Sequence, residues 1–208
     1  MKLLIVGATG ATGLELMEQA LEAGHAVTAF ARRPAAVQLK HANLRVQQGD
    51  ILDYSAVESA VRGQDAVLSA LGVRRLGKNT TLSDGTRNLI QAMETLLVKR
   101  LIVESSIGVG DSRKQLKGLY AWLWLPLLMR NIFADKEAQE ALVRASRLDW
   151  VIVRPAILTN GPRTGRYKAG AAPVTSFARK ISRADTAEFM LKQLADDVYL
   201  HKTPGLSY

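Results

Sequence analysis

The run from Lys2 to Gly13 limits the fold more than any other part of the chain. Residues Lys2 to Val6 form a short apolar stretch of the kind buried as a parallel strand. It passes directly into Gly7-Ala8-Thr9-Gly10-Ala11-Thr12-Gly13, and then into a helical pattern that sets Leu14, Met17 and Leu21 on one face. A second apolar run, Ala26 to Ala31, ends at Arg32-Arg33. Strand, glycine-rich turn, helix and strand together make a βαβ unit of about the usual 30 residues.

The glycines of the turn answer physical needs. Gly7 lets the chain leave the strand sharply, and Gly13 lets the helix close on the sheet. Gly10 keeps the backbone bare at a helix N-terminus, where unpaired N–H groups and the dipole favour a pyrophosphate. Thr9 and Thr12 offer hydroxyl donors to the same phosphates. The spacing is GxxGxxG rather than GxGxxG, and the bland alternative is a tight turn with no ligand. Its place between a strand and an amphipathic helix favours a dinucleotide site.

A site for NAD puts an acid about 20 residues further on, to bind the ribose 2′-hydroxyl. Here that place holds Arg32 and Arg33. Guanidinium groups match a 2′-phosphate in charge and fork geometry, whereas a carboxylate would repel it. The expected cofactor is therefore NADP(H).

With 208 residues, 48% of them hydrophobic, the chain has room for one sizeable α/β domain, expected to span residues 1–208. It has no cysteine, so disulfides are excluded and a reducing cytoplasm fits. Entry straight into a strand leaves no room for a signal peptide. The net charge of +9 raises the question of nucleic acid. The basic residues are scattered, without interleaved aromatics, so no nucleic-acid partner is expected. His25, His41 and His201 lack ligand-like spacing, and no metal is expected.

Further along, Leu44 to Gln48 reads as a third strand ending in Gly49-Asp50-Ile51. Asp50 there suits an adenine amine and Ile51 a wall for the ring; the alternative is an Asp capping the helix from Ser55 to Val61. Asp65 to Gly72 is a fourth strand. Leu71 and Gly72 stand at its C-terminal end, where ligands sit in open parallel sheets, with Arg74 and Arg75 near the phosphates or substrate. Leu82 to Leu97 is a long helix with Leu82, Leu89, Ile90, Met93, Leu96 and Leu97 as its buried side, and Leu101 to Ser106 is a fifth strand ending in the hydroxyls Ser105 and Ser106. The segment from 119 to 129 is apolar, contains Tyr120, Trp122 and Trp124, and at eleven residues with a proline is too short to span a bilayer, which needs ~20. Lid or pocket wall, dimer contact and membrane-surface anchor all stay open for it. Phe133 to Arg147 is a helix with Lys136 and Glu140 at i and i+4. Asp149 to Pro155 is the sixth strand, a Gly/Pro-rich loop with a short strand near Tyr167 follows, and Ser182 opens the last helix. Gly205 to Tyr208 reads as an edge strand. The fold expected is single-domain α/β of the Rossmann type, a doubly wound, mostly parallel sheet with helices on both faces. Residues 111–130 and 156–180 form its substrate-side lid and loops.

Gly7-x-x-Gly10-x-x-Gly13, Gly49-Asp50, Asp65-Ala66-Val67, Ser105-Ser106, Leu148-Asp149-Trp150 with Val153-Arg154-Pro155, and Ile181 to Asp185 together resemble the atypical short-chain dehydrogenase/reductases. Within that group the chain is most similar to the flavin reductase/biliverdin-IXβ reductase proteins, and it shares its glycine pattern with NmrA-like redox sensors. The resemblance implies pyrophosphate contacts at Gly7, Thr9, Gly10, Ala11, Thr12 and the adjoining Gly13, and the 2′-phosphate at Arg32 and Arg33. It implies adenine at Asp50 and Ile51, ribose or nicotinamide contacts at Leu71, Gly72 and Arg74, and Ser105, Ser106 and the Pro155-Ala156-Ile157-Leu158 turn beside the nicotinamide. One departure bears on the chemistry. The Tyr that precedes the catalytic Lys by four residues is replaced by Ile132 ahead of Lys136. Alcohol or ketone chemistry thus lacks its usual acid, while hydride transfer to an already electrophilic ring asks only for stacking and a proton from water, Ser106 or Lys136. Lys136 as a surface lysine paired with Glu140 is the competing reading. The expectation is an NADPH-dependent reductase of a flavin, bilin or quinone-like acceptor, covered by Tyr120, Trp122 or Trp124, working as a monomer or homodimer. The competing expectation is a non-catalytic NADP(H) sensor.

Overall fold

The computed structural model describes residues 1–73, 77, 79–115, 130–170 and 179–208. Buried apolar runs become strands β1 (Lys2–Val6), β2 (Ala26–Ala31), β3 (Leu44–Gln48), β4 (Ala66–Ser69), β5 (Arg100–Glu104) and β6 (Asp149–Pro155). They lie parallel in the order β3-β2-β1-β4-β5-β6, the doubly wound arrangement whose direction of winding reverses between β1 and β4. The sequence places all six, though β4 and β5 end earlier than expected, at Ser69 rather than Gly72 and at Glu104 rather than Ser106.

Helix α1 (Ala11–Glu22) and helix α5 (Arg183–Lys192) pack on one face of the sheet. On the other face lie α2 (Tyr54–Val61), α3 (Thr81–Thr95) and α4 (Arg130–Ala145). Alternation along each strand divides the core accordingly. Leu3, Ile5, Leu68, Ile102, Val151 and Val153 face α1 and α5, while Leu4, Val6, Val67, Leu101, Val103 and Ile152 face the other layer. Two leucines read as buried are not. Leu14 is 42% exposed, because α1 buries Leu16, Met17, Ala20 and Leu21 instead. Leu97 is 80% exposed, standing past the end of α3 with φ +59°.

One expectation about the sheet is corrected. β10 (Gly205–Ser207) is not an edge strand: it lies parallel to β6 and antiparallel to β8 (Lys168–Gly170), which forms the edge. A separate pair, β7 (Ile157–Thr159) and β9 (Lys180–Ser182), joins the two ends of the 156–180 region. Of the expected lid, residues Gly110–Gln115 form a 3₁₀ turn.

Candidate cofactor and active site

The turn after β1 is built as its glycines require. Gly7 has φ +81°, and a Cβ there would stand 2.4 Å from the Ala70 carbonyl oxygen at the end of β4. A Cβ on Gly13 would stand 2.2 Å from the Gly7 carbonyl oxygen, so α1 approaches the strand as closely as backbone allows. Gly10 donates to the Gly7 carbonyl at 2.9 Å and is the N-cap of α1. No side chain caps this helix and no acid occupies its first turn. The N–H groups of Ala11, Thr12 and Gly13 thus stand at an uncapped positive pole, with Thr9 and Ala11 exposed beside it. A helix N-terminus with no cap, pressed this close to the strand, leaves its N–H groups open to a pyrophosphate, and this turn fits one.

Arg32 and Arg33 are exposed just beyond β2, and neither has an ion-pair partner among the described residues. Asp50 follows β3, where one carboxylate oxygen accepts from the Leu52 N–H at 3.0 Å. The cap of α2 is Asp53, which accepts from Ser55 and Ala56. Ile51 is buried; its side chain fills the space left by Gly85, and its carbonyl accepts from Asn88 at 3.0 Å. Leu71 is half-buried and Gly72 exposed at the end of β4. Arg74, Arg75, Tyr120, Trp122 and Trp124 lie outside the described residues.

At the C-terminal end of β5 the two faces of the sheet contribute opposite halves of a charged cluster. On the α1 side, buried Glu104 accepts from the Thr12 hydroxyl at 3.1 Å. Burial pushes its carboxyl above the usual glutamate value, against the pull of Lys136, the Thr12 bond and Arg183. On the α4 side, Ser105 donates to Glu140 at 2.6 Å. Glu140 is fully buried and also accepts from Arg154 through Nε at 2.9 Å and Nη2 at 2.6 Å, and from Arg144 at 2.7 Å. Arg154 in turn donates to Asp111 at 2.7 Å. Burial acts to raise Glu140, but the bonds from Arg154 and Ser105 and the arginine charges hold it below the ordinary range.

Lys136 sits between these halves. Burial pushes its ammonium down, opposed by Glu104, Glu140 and Asp135, and no carboxylate among the described residues pairs with it directly. Lys136 is half-buried, and the ion pair with Glu140 expected of a surface lysine is not formed. Glu140 is turned to Arg154, and its i+4 partner is Arg144. Ser106 is half-buried and donates inward to the Ile107 carbonyl at 3.1 Å. Pro155 and Ala156 are buried beside it, Leu158 is half-buried and Ile157 is exposed. Ile132, where the usual Tyr would stand, is buried. A cleft of about 520 Å³ runs along the α4 face of β6, lined by Ile107, Asp111, Arg144, Trp150, Arg154 and His201 among others, and takes none of its lining from the glycine turn. The sequence reading missed Glu104, Glu140, Arg154 and Asp111.

The NAD(P)H-binding family model matches residues 7–197, from the glycine turn to beyond α5. The chain belongs to that NAD(P)H-binding family. An uncharacterised chloroplastic protein of Arabidopsis thaliana is 30% identical over 205 residues, covering 94% of this chain and 72% of its own. Among solved structures, the anaerobilin reductase ChuY of Escherichia coli O157:H7 superposes with a TM-score of 0.85 at 24% identity, over 99% of this chain and 96% of its own. A short-chain dehydrogenase/reductase of Veillonella parvula in complex with NADP gives a TM-score of 0.79 at 18% identity, over 100% of this chain and 94% of its own. At these identities the two structures share the fold of this NAD(P)H-binding protein. Among the described residues, no helix is long and apolar enough to cross a membrane.

Proposed function

We propose that this protein is an NADPH-dependent reductase of a planar, conjugated acceptor of the flavin, bilin or quinone class. The observation that carries the reading is the placement of the uncapped turn at Gly7–Gly13 beside the Glu104–Lys136 cluster, with Arg32 and Arg33 at the end of β2 holding no ion-pair partner among the described residues. The turn and the α1 N-terminus hold the pyrophosphate, Arg32 and Arg33 the 2′-phosphate, and Asp50 the adenine amine through its unbonded oxygen. Leu71, Gly72 and the Pro155–Leu158 turn border the nicotinamide.

Bound NADPH supplies the hydride. The chain must orient the acceptor, exclude competing water and deliver one proton. Ser105 and Ser106 both spend their hydroxyl protons inward, on Glu140 and on the Ile107 carbonyl. Among the described residues this favours Lys136 as the proton donor, and burial lowers its pKa in the direction that makes it a better acid. A ring that is electrophilic before it binds needs no more. The absence of cysteine and the likeness to a bilin-reducing enzyme fit a cytoplasmic, small-molecule role.

The test is a fluorescence titration with NADPH and NADH, followed by an oxidation screen with flavins, biliverdin and quinones. Tighter binding of NADPH and turnover with one acceptor class are expected. Buried Ile132 favours a second reading, a non-catalytic NADP(H) sensor. Equal binding of reduced and oxidised cofactor, with no oxidation by any acceptor, would establish it.

A further inference from the structure

Thr12 has one hydroxyl proton and, on the reading above, two claimants for it. In the structure it goes to Glu104 across the interface between α1 and β5, at 3.1 Å. The same residue stands in the first turn of α1, where the dinucleotide phosphates are proposed to sit. A hydroxyl cannot donate to an ionised carboxylate and to a phosphate oxygen together. If Thr12 turned to the phosphate while Glu104 stayed ionised, a buried carboxylate would lose the hydrogen bond it has, with phosphate charge newly beside it. A protonated Glu104 removes the conflict. Its own O–H then donates to the Thr12 oxygen, and the Thr12 proton is released to the phosphate.

We infer that Glu104 takes up a proton from solvent as the dinucleotide binds, so that the phosphate turn and the charge of the active site are set together. One O–H bond forms on the carboxylate, the Thr12–Glu104 hydrogen bond reverses its direction, and no electron moves. The groups facing Glu104 allow it. Thr12 reaches it from α1, Lys136 from α4 and Arg183 from α5. The two cations act on it without a direct ion pair, and each has other partners. Arg183 donates to the Asn160 side chain at 2.6 Å, and Lys136 is also drawn by Glu140 and Asp135. Burial already favours the neutral acid, and added phosphate charge acts in the same direction. Glu104 is thus a positioning residue: it acts on the cofactor through Thr12. Once neutral, it also withdraws a negative charge that holds the proton on Lys136, which makes Lys136 the stronger acid in the loaded enzyme.

The inference rests on the dinucleotide reading of the glycine turn, and its test separates the two. NADPH binding to the full chain is followed by calorimetry in buffers of different ionisation enthalpy, for the wild type and Glu104→Gln. The NADPH 2′-phosphate and Arg32/Arg33 contribute equally to both proteins, so the difference isolates Glu104. The wild type is expected to take up more protons than Glu104→Gln, and its NADPH affinity to weaken with rising pH by up to about tenfold per unit relative to that variant. Identical proton counts in the two proteins would overturn the inference and leave the cofactor reading intact. Failure of the wild type to bind NADPH would overturn both. If Glu104→Gln does not fold, Thr12→Val takes its place. With no hydroxyl at position 12 there is no hydrogen bond to reverse, so the extra uptake should vanish, and its persistence would refute the exchange.

Discussion

Glu140→Ala should cost this protein a large part of its stability, and the structure says why. Glu140 has no exposed surface, and the Arg154 side chain keeps 4% of its own. Truncation removes two of the three bonds holding that guanidinium, at Nε and Nη2, together with the acceptor for Ser105. What remains is Asp111, whose side chain is 82% exposed and which cannot neutralise a charge enclosed on its other sides. Arg144 is 39% exposed and can return to water, so its loss adds little. Breaking a buried pair by removing one partner costs about 3–5 kcal/mol, out of a typical total of about 5–15. For a chain of this length that corresponds to a fall in Tm of about 6–20 °C. Urea unfolding with an unchanged m-value is the assay. The double variant Glu140→Leu/Arg154→Met, which removes both charges, should recover most of the loss. A single-variant loss under about 1 kcal/mol, or a double variant no better than the single, would refute the argument that an enclosed, abandoned charge is what destabilises. Acid should act in the same direction. Glu140 and Asp111 are both held below their ordinary values of 4.5 and 3.8. Their contribution is therefore complete above those values and is lost as the pH falls through the depressed ones.

Other outcomes can be checked on the same protein. Arg32→Ala with Arg33→Ala should weaken NADPH by about 1–3 kcal/mol per arginine while sparing NADH, read from paired binding titrations; equal weakening would remove the 2′-phosphate assignment. Gly13→Ala should abolish NADPH binding with the circular dichroism spectrum retained, because its Cβ would lie 2.2 Å from the Gly7 carbonyl and force the turn open. Lys136→Met should lower kcat more than it changes KM. It should also erase the loss of activity that the wild type shows as pH rises through the Lys136 pKa, which lies below the ordinary 10.5. Wild-type stability should decline as pH rises above the ordinary glutamate value of 4.5, because folded Glu104 holds its proton more tightly than the unfolded chain does, and Glu104→Gln should flatten that slope in pH-dependent urea melts.

The strand-turn-helix-strand unit was legible because its signals are local: apolar runs, and glycines whose missing side chains the backbone requires. The charged cluster was not. Glu104 precedes two serines at a strand end and looks like a solvated polar terminus; nothing nearby announces that it meets Thr12, 92 residues earlier. Lys136 and Glu140 do have helical ion-pair spacing, but spacing cannot say that a strand brings Arg154 to the same carboxylate and takes it away from Lys136. The strands after β6 were read less well for a related reason. β7, β8, β9 and β10 have three residues each, too few to show a period.

The position of β10 has a kinetic consequence. β1 to β6 can assemble by adding one strand at a time to an open edge of the growing sheet. The strand at 205–207 instead enters a slot whose walls are β6, some fifty residues back (Gly205 opposite Arg154), and β8 (Gly205 opposite Gly170). Until it arrives, β6 presents an open row of backbone groups and β8 has no neighbour in the large sheet. Insertion of this strand is therefore the step at which a half-assembled molecule is most exposed to pairing with a second one. Chains shortened before Gly205 should associate through that open side of β6.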